Sequence, residues 1–558
     1  MCVWPVDSGS KWKCGRPGMG NRATMTGNDF MDIVRETLQP RQHHSSANGG
    51  RANWFSKFLA LTSARDYSLG VIKGARFAAL ILAVAFTLLP VGFAEAQKRP
   101  NFVVIMTDDQ DDLDWIRHLP AIRNLLAKQG ITFKNSFTDL PLCCPSRASF
   151  LTGQSSTNHG ILFNAPPNGG YVEFAAREHN SLGVWLQEAG YRTGFIGKIM
   201  NGFGVSDPSH IMPGWDDFQA LITGGYPEES GGYFNVQMSE NGTLRAYGDF
   251  AGEYSTDVIT RKGVEFVVRY AQRPKPFFLL LTPVAPHTGG LNKPPRAAPR
   301  HRGVFADLDF PIRPNFNEAN ISDKPGHIRE LPLLTAEEQL QVARVYRTRL
   351  ESLLAVDDMV RKLYGALRTI GELENTFFIL TSDNGFSLGS HRWVQKQLPY
   401  EESLRVPLII RGPKLPHNQS RDQLVTNLDI VATIMALAEA TTTKSQFLDG
   451  RSLVPLFQDG SIAWRSAFAI HGSTKLTRGE QMSIFGVRSK RYKYIRSKSN
   501  VYGAEEEFYD LVEDPYELTS RIGTERYGAT IRFLRFLSKE LETCAGQTCW
   551  VATKPPDP

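Results

Sequence analysis

The chain has 558 residues, 41% hydrophobic and 22% charged, the balance of a soluble globular protein; its length suits one large domain with a smaller companion. The formal charge of +6 sits mostly in residues 1–96, which hold 11 Lys+Arg against 6 Asp+Glu and leave 52 against 51 for the rest. So balanced a remainder lacks the basic track that nucleic acids require, and no nucleic-acid partner is expected.

Residues 1–70 are polar, lack sustained periodicity and contain loop-like stretches such as Ser45-Ser-Ala-Asn-Gly-Gly50, so no fold is assigned to them. Lys73 and Arg76 then precede an apolar run from Phe77 to Phe93, and Ala94-Glu-Ala96 follows. This reads as a signal peptide over 71–96, cut after Ala96, with Pro90 and the small-residue exit arguing against an uncleaved anchor. The mature chain is then secreted or periplasmic, with no stable membrane span after cleavage.

Beyond residue 97, apolar runs alternate with helical patterns. They predict an α/β fold over 97–440 whose mostly parallel strands are buried on both faces and flanked by helices. Four runs are followed at once by residues of catalytic type. Phe102–Met106 leads to Asp108-Asp109; Arg192–Ile196 leads to Gly197-Lys198; Phe277–Leu281 leads to His287; Thr376–Leu380 leads to Asp383-Asn384. Strands often end in Asp or Asn only because loops begin there. In open α/β sheets, however, ligand sites gather beyond the carboxyl ends of strands, and four such ends together predict one site. Asp108, Asp109, Asp383 and Asn384 form a hard-oxygen set suited to Ca²⁺ or Mg²⁺ rather than zinc, with Ca²⁺ favoured. Without a cation, such carboxylates would raise one another's pKa.

Between the first two runs lies Cys143-Cys-Pro-Ser-Arg-Ala-Ser-Phe-Leu-Thr-Gly153. Pro145 suits the first turn of a helix, which places Cys143 at the helix's positive end; a buried cysteine pair at a helix start is the plainer alternative. Further on, Asn427–Ala438 is helical in pattern, with Asp429 near its start. Arg491–Ile495 and Glu507–Leu511 read as a strand hairpin. Of six cysteines, Cys2 and Cys14 precede the signal; Cys544 and Cys549 flank a short glycine-containing loop, compatible with a disulfide or, alternatively, half a zinc site.

Cys143–Gly153 resembles the signature of the type I sulfatases, Cys-x-Pro-Ser-Arg, three residues, then Leu-Thr-Gly. The resemblance covers about residues 99–550 and points to the arylsulfatase and N-acetylglucosamine-6-sulfatase-like branch. It implies an alkaline-phosphatase-like fold with a small antiparallel C-terminal sheet and one helix, here within 441–558. It also implies that a formylglycine-generating enzyme oxidises Cys143 to formylglycine (3-oxoalanine), whose hydrate attacks sulfur in a sulfate ester, and that Cys144 is the variable position. Asp108, Asp109, Asp383 and Asn384 are then metal ligands, with an oxygen of modified Cys143 completing the set.

On the same resemblance, Arg147 holds the nucleophile, while Lys198, His287 and Lys396 clamp the sulfate, and His287 or Lys396 protonates the leaving oxygen. Lys198-Ile-Met-Asn201 is similar to the Lys-Tyr-Leu-Asn of glucosamine-6-sulfatases, with Met200 where many sulfatases carry histidine; Asn201 is a candidate substrate contact. Lys396 ends Ser390-His-Arg-Trp-Val-Gln-Lys396, where His391 is a substrate-binding candidate with a structural role as the alternative. His159 is a candidate holder of the modified residue. The expected function is sulfate-ester hydrolysis on a sulfated small molecule or glycan. A formylglycine-dependent phosphodiesterase or phosphonate monoester hydrolase is the alternative, and a non-catalytic sulfoglycan-binding protein the remote one. Specificity is expected in loops such as Gly224–Gly232 and His287–Pro314.

Overall fold

The computed structural model describes residues 98–223, 231–443, 446–475 and 481–558. The extension over 1–70, the expected signal peptide over 71–96 and residues 224–230 of the loop expected to set specificity lie outside them. Among the described residues, no helix is long and apolar enough to cross a membrane.

Ten strands among the described residues form one sheet. They are β1 (Asn101–Thr107), β2 (Ile131–Phe137), β3 (Arg192–Gly197), β4 (Asp217–Leu221), β5 (Gln237–Glu240), β6 (Thr243–Ala246), β7 (Phe277–Thr282), β8 (Thr376–Ser382), β9 (Leu408–Arg411) and β10 (Gln419–Thr426). Their order is β10-β2-β9-β8-β1-β7-β3-β4-β5-β6. The stretch β8-β1-β7-β3-β4 is parallel throughout, β9 runs antiparallel between β8 and β2, and β5 and β6 close one edge antiparallel. The α/β, mostly parallel architecture expected from the sequence is therefore present.

Strand alternation divides the core in two. Val103, Ile105, Leu279, Leu281, Phe378 and Leu380 face one side. There they meet α2 (Ser255–Tyr270), through Val258 and Phe266, and α3 (Ala336–Ile370), through Val356, Met359 and Leu363. Phe102, Val104, Phe278, Leu280, Phe377 and Ile379 face the other. They cover Ala148, Phe150 and Leu151 of α1 (Cys143–Thr152) and Ile430, Val431 and Ile434 of α4 (Asn427–Leu437). Apolar residues on both strand faces are what a sheet sandwiched between helices requires.

Helix starts are set by side chains. Thr335 and Glu338 form a reciprocal capping box at α3, and the Asp429 carboxylate reaches back to the Thr426 N–H at 2.8 Å. Asp429 is fully buried and also accepts from the Arg451 N–H at 2.7 Å and from Arg465 Nη2 at 2.6 Å. Next to it, Asn427 donates to Ser146 Oγ at 3.1 Å, tying α4 to α1.

A second sheet, β11 (Ala467–Lys475), β12 (Gln481–Ser489), β13 (Tyr492–Ser499) and β14 (Gly503–Asp510), is antiparallel in sequential order. The expected hairpin is its β13–β14 pair, with Tyr494 opposite Phe508. Helix α5 (Gly528–Glu542) packs Ile531, Leu534 and Leu537 on Val487, Tyr494 and Phe508. Cys544 and Cys549 form a disulfide with Cα atoms 5.1 Å apart, so the zinc half-site reading falls away.

The Asp429 knot predicts that Asp429→Ala, which strands the buried Arg465 charge, destabilises the protein by roughly 3–5 kcal/mol, the cost of breaking a buried pair. A lowered denaturant midpoint in chemical unfolding checks it; an unchanged midpoint contradicts it.

Candidate active site

The four strand ends singled out in the sequence belong to β8, β1, β7 and β3, four neighbours in one parallel block. Backbone hydrogen bonds carry the ladder one step past the strands: Asp383 N to Thr107 O at 3.1 Å, Asp108 N to Ala285 O at 3.2 Å and Lys198 N to Thr282 O at 2.9 Å. Their side chains therefore start from a rigid edge. Gly197, at φ 129°, allows the close approach before Lys198, since a Cβ there would stand 2.3 Å from Thr282 O.

Cys143 opens α1 and its thiol is the meeting point. Lys396 Nζ lies 2.8 Å from Cys143 Sγ and Lys198 Nζ 3.8 Å, while Asp108 Oδ1 is at 3.5 Å and Asp109 Oδ1 at 3.9 Å. Each lysine also pairs with a carboxylate: Lys198 with Asp108 at 2.5 Å and Lys396 with Asp109 at 2.5 Å. Arg147, one turn along α1, bonds Asp383 at 2.8 Å, lies 3.5 Å from Asp108 and donates to Lys198 O at 2.5 Å. His287 stands at the opening with 30% of its side chain accessible, Nε2 3.7 Å from Asp109 Oδ2. Tyr233 fixes it by donating to His287 O at 2.9 Å. The Sγ atom marks where the oxygens of a formylglycine hydrate would begin.

Electrostatics follow from packing like charges together. Burial pushes Asp108 up, but Lys198, His287, Arg147 and Lys396 outweigh it and hold its carboxyl well below the usual range. Burial and the neighbouring Asp108 push Asp383 up despite Arg147. Burial and Asp108 push the Cys143 thiol well up, so as a plain cysteine it is protonated and a poor nucleophile. Burial likewise pushes Cys144 up to about 11. Desolvation lowers His287 to about 4 against the pull of Asp108 and Asp109.

The oxygens fit a hard cation. Ligand atoms of Asp108, Asp109 and Asp383 lie within 4.8 Å of one another. Asp109 Oδ2 and Asn384 Oδ1 are buried without a hydrogen-bond partner among the described residues, although Asn384 Nδ2 bonds Asp109 Oδ1 at 2.7 Å. Orphaned buried oxygens aimed at a carboxylate cluster are what an oxygen-liganded divalent ion would satisfy.

Three sequence candidates stand outside the cluster. His391 is fully buried, its Nδ1 2.6 Å from Glu318 Oε2 and its ring against Tyr400; it makes no hydrogen bond to the residues around Cys143. Asn201 adjoins the site through its backbone, N–H to Cys144 Sγ at 3.2 Å. His159 holds α1 through Ser149 Oγ at 3.0 Å rather than Cys143 itself.

Two supporting residues went unread in the sequence. Asn164 Oδ1 accepts the Cys144 N–H at 2.9 Å, serving as a cap delivered from outside the helix. Arg349 of α3 donates to Asp109 O at 2.7 Å and pairs with Asp111 at 2.5 Å, bracing the turn at Asp109, where φ is 65°. Neither lies in a motif, because each contact spans a fold-dependent distance.

Comparison with known proteins is consistent with this geometry. A sulfatase family model matches residues 100–440, and one for the N-sulphoglucosamine sulphohydrolase C-terminal region matches 389–545. An arylsulfatase of Volvox carteri is 33% identical over 523 residues, covering 84% of this chain and 79% of its own. The N-acetylglucosamine-6-sulfatase of Homo sapiens is 34% identical over 400 residues, 70% of each. A solved structure described as a complex with its substrate D-glucosamine-2-N,6-O-disulfate superposes with a TM-score of 0.66 at 27% identity. That match covers 79% of this chain and 97% of the other.

Asn164→Ala should leave the Cys144 N–H uncapped and destabilise the protein by about 0.5–2 kcal/mol, the range for a lost helix cap. Asn164→Asp should retain most of that stability. Equal unfolding midpoints for wild type and Asn164→Ala would contradict the capping role.

Proposed function

The chain belongs to the sulfatase family, and from that premise we propose that Cys143, once converted to formylglycine by a formylglycine-generating enzyme, is the nucleophilic residue of its sulfate-ester hydrolysis. One observation carries the assignment: two ammonium groups, that of buried Lys198 and that of largely covered Lys396, converge on Cys143 Sγ from strand end and loop nearly 200 residues apart. Such preorganised donors suit the oxygens of a sulfuryl group in a partly dry site.

Asp108, Asp109, Asp383 and Asn384, with modified Cys143, are the residues that would hold a divalent ion, Ca²⁺ in preference to Mg²⁺. When bound, it supplies Lewis-acid polarisation and relieves the carboxylate repulsion. Arg147 keeps Asp383 and the Lys198 backbone in place with donors in fixed directions. Lys198 and Lys396 orient the sulfate against Cys143. His287, the accessible member, faces the departing alkoxide. An arriving sulfate anion adds to the pull of Asp108 and Asp109, moving the imidazole toward the range in which it can give up a proton.

The substrate class favoured is a sugar sulfate of the 6-O-sulfated glucosamine type. Support comes from the Lys198–Asn201 stretch, with Met200 buried and Asn201 beside Cys144, and from the relatives just described. The Cys544–Cys549 disulfide supports an extracytoplasmic location.

The test is a kinetic comparison of glucosamine 6-sulfate and an aryl sulfate with matching phosphate mono- and diesters. Sulfate esters should exceed the diester in kcat/KM by more than about tenfold, or about 1.4 kcal/mol in barrier. A preference for the diester or a phosphonate monoester would overturn the assignment. Lys198→Ala or Lys396→Ala should each cost roughly 10²–10³ in rate, the scale of one such donor.

A further inference from the structure

A second group of ligand-type side chains lies away from Cys143. His391, Glu402 and Glu517 each place one ligand atom within 4.8 Å of the others, and all three residues are more than nine-tenths buried. From this juxtaposition, and from two atoms in it that have neither a hydrogen-bond nor an ion-pair partner among the described residues, we infer that the three residues form a second metal site, built for Zn²⁺.

Glu517 Oε1 lacks a hydrogen bond too but is ion-paired with Lys493; the cluster atoms with neither kind of partner among the described residues are His391 Nε2 and Glu402 Oε2. Both are the free ends of side chains already fixed at their other ends. His391 Nδ1 is 2.6 Å from Glu318 Oε2, the carboxylate–imidazole pairing that orients a metal-binding histidine and leaves Nε2 as the ligand. Glu402 Oε1 accepts from Asn315 Nδ2 at 2.8 Å. Glu517 Oε2 accepts the Glu401 N–H at 3.0 Å, while its other oxygen lies 2.6 Å from Lys493 Nζ. Lys493 is itself shared with Glu401 at 2.8 Å. Asn315 supplies the one hydrogen bond that the structure gives the Glu402 side chain, and an amide does not neutralise a buried carboxylate.

The backbone is bent to aim the imidazole. His391 and Arg392 adopt φ values of 53° and 64°, two consecutive non-glycine residues in the left-handed region. Such strain persists where surroundings over-determine it. Here His391 N–H bonds Asn315 O at 2.8 Å, and Arg392 spans the carbonyls of Glu318, Ala319 and Leu331, each at 2.8 Å.

One imidazole nitrogen with two carboxylates suits zinc, and Glu402, unlike the Lys493-paired Glu517, has no ion-pair partner among the described residues and leaves a negative charge for the ion to answer. A tetrahedral zinc holds its ligand atoms about 3.3 Å apart, so the three would draw inward from their present spacing. A small cavity, lined mostly by apolar side chains with Arg313 and Ser390, borders Glu402. The site would fasten three segments: the loop from Ser390 that delivers Lys396, the short helix Glu401–Leu404, and the chain after β14. Its three ligands make no hydrogen bond to Cys143 among the described residues, so its occupancy can be tested apart from the proposed hydrolysis.

The test loads full-length, metal-stripped protein with Zn²⁺ alone and counts bound metal after free ion is removed. Asp383→Asn, which disables the oxygen cluster at Cys143, should still take one Zn²⁺ per chain and show a zinc-dependent rise in Tm. Adding Glu402→Gln should abolish both, and Glu517→Gln should do the same if Glu402→Gln fails to fold. Zinc-edge X-ray absorption of the loaded Asp383→Asn protein should show one imidazole in the ligand shell. Absence of stoichiometric zinc in Asp383→Asn, a zinc shell without imidazole, or binding that survives both glutamine variants would overturn the site; the cluster would then hold only water or shared protons.

Discussion

Three carboxylates buried at the ends of adjacent parallel strands are the constraint on which this structure turns. Asp108 and Asp109 leave β1 and Asp383 leaves β8, and the register that pairs Thr107 with Ser382 brings them together. Left alone they would resist ionisation, as the upward push on Asp383 records. Lys198, Lys396 and Arg147 answer that charge, and all three contacts are short and shielded from solvent. The same cations are then in place to receive an anion beside Cys143. On the proposed reading, charge balance within the resting site and recognition of sulfate are two aspects of one arrangement.

The helix carrying Cys143 is held with corresponding care. Phe150 and Leu151 root α1 in the core, Asn427 ties it to α4, and Asn164 caps its first turn from a separate segment. A residue at the first position of a helix has its own N–H free of the helical ladder and points toward the positive end of the dipole. That is where an attacking oxygen and an incoming sulfate both gain stabilisation. The thiol precursor gains nothing there, because burial and Asp108 keep it protonated.

The parts legible in the sequence were those governed by local pattern. Apolar runs bounded by Asp, Lys or His marked four strand ends, and parallel α/β topology brings such ends to one edge of the sheet. Pro145 marked the helix start, and the Cys143–Gly153 signature fixed the family. What stayed hidden depends on contacts between distant segments. For His391, close in sequence to Lys396, the pattern left substrate contact and a structural role both open; the left-handed turn at His391 and Arg392 sends the ring to Glu318. Glu402 and Glu517 lie over 100 residues apart, and no spacing rule joins them. The roles of Asn164 and Arg349 were equally invisible, since an Asn in a loop and an Arg in a long helix have no signature of their own.

The central claim is that Cys143, and not its neighbour Cys144, becomes the aldehyde on which sulfate-ester hydrolysis depends. Cys144 is turned away into the core, where its Sγ accepts from the Asn201 N–H. Mass analysis of the peptide spanning both residues, taken from catalytically active protein, tests this directly. The account predicts formylglycine at Cys143 and an unmodified thiol at Cys144. Full sulfatase activity in protein whose Cys143 remains an unmodified cysteine would contradict it.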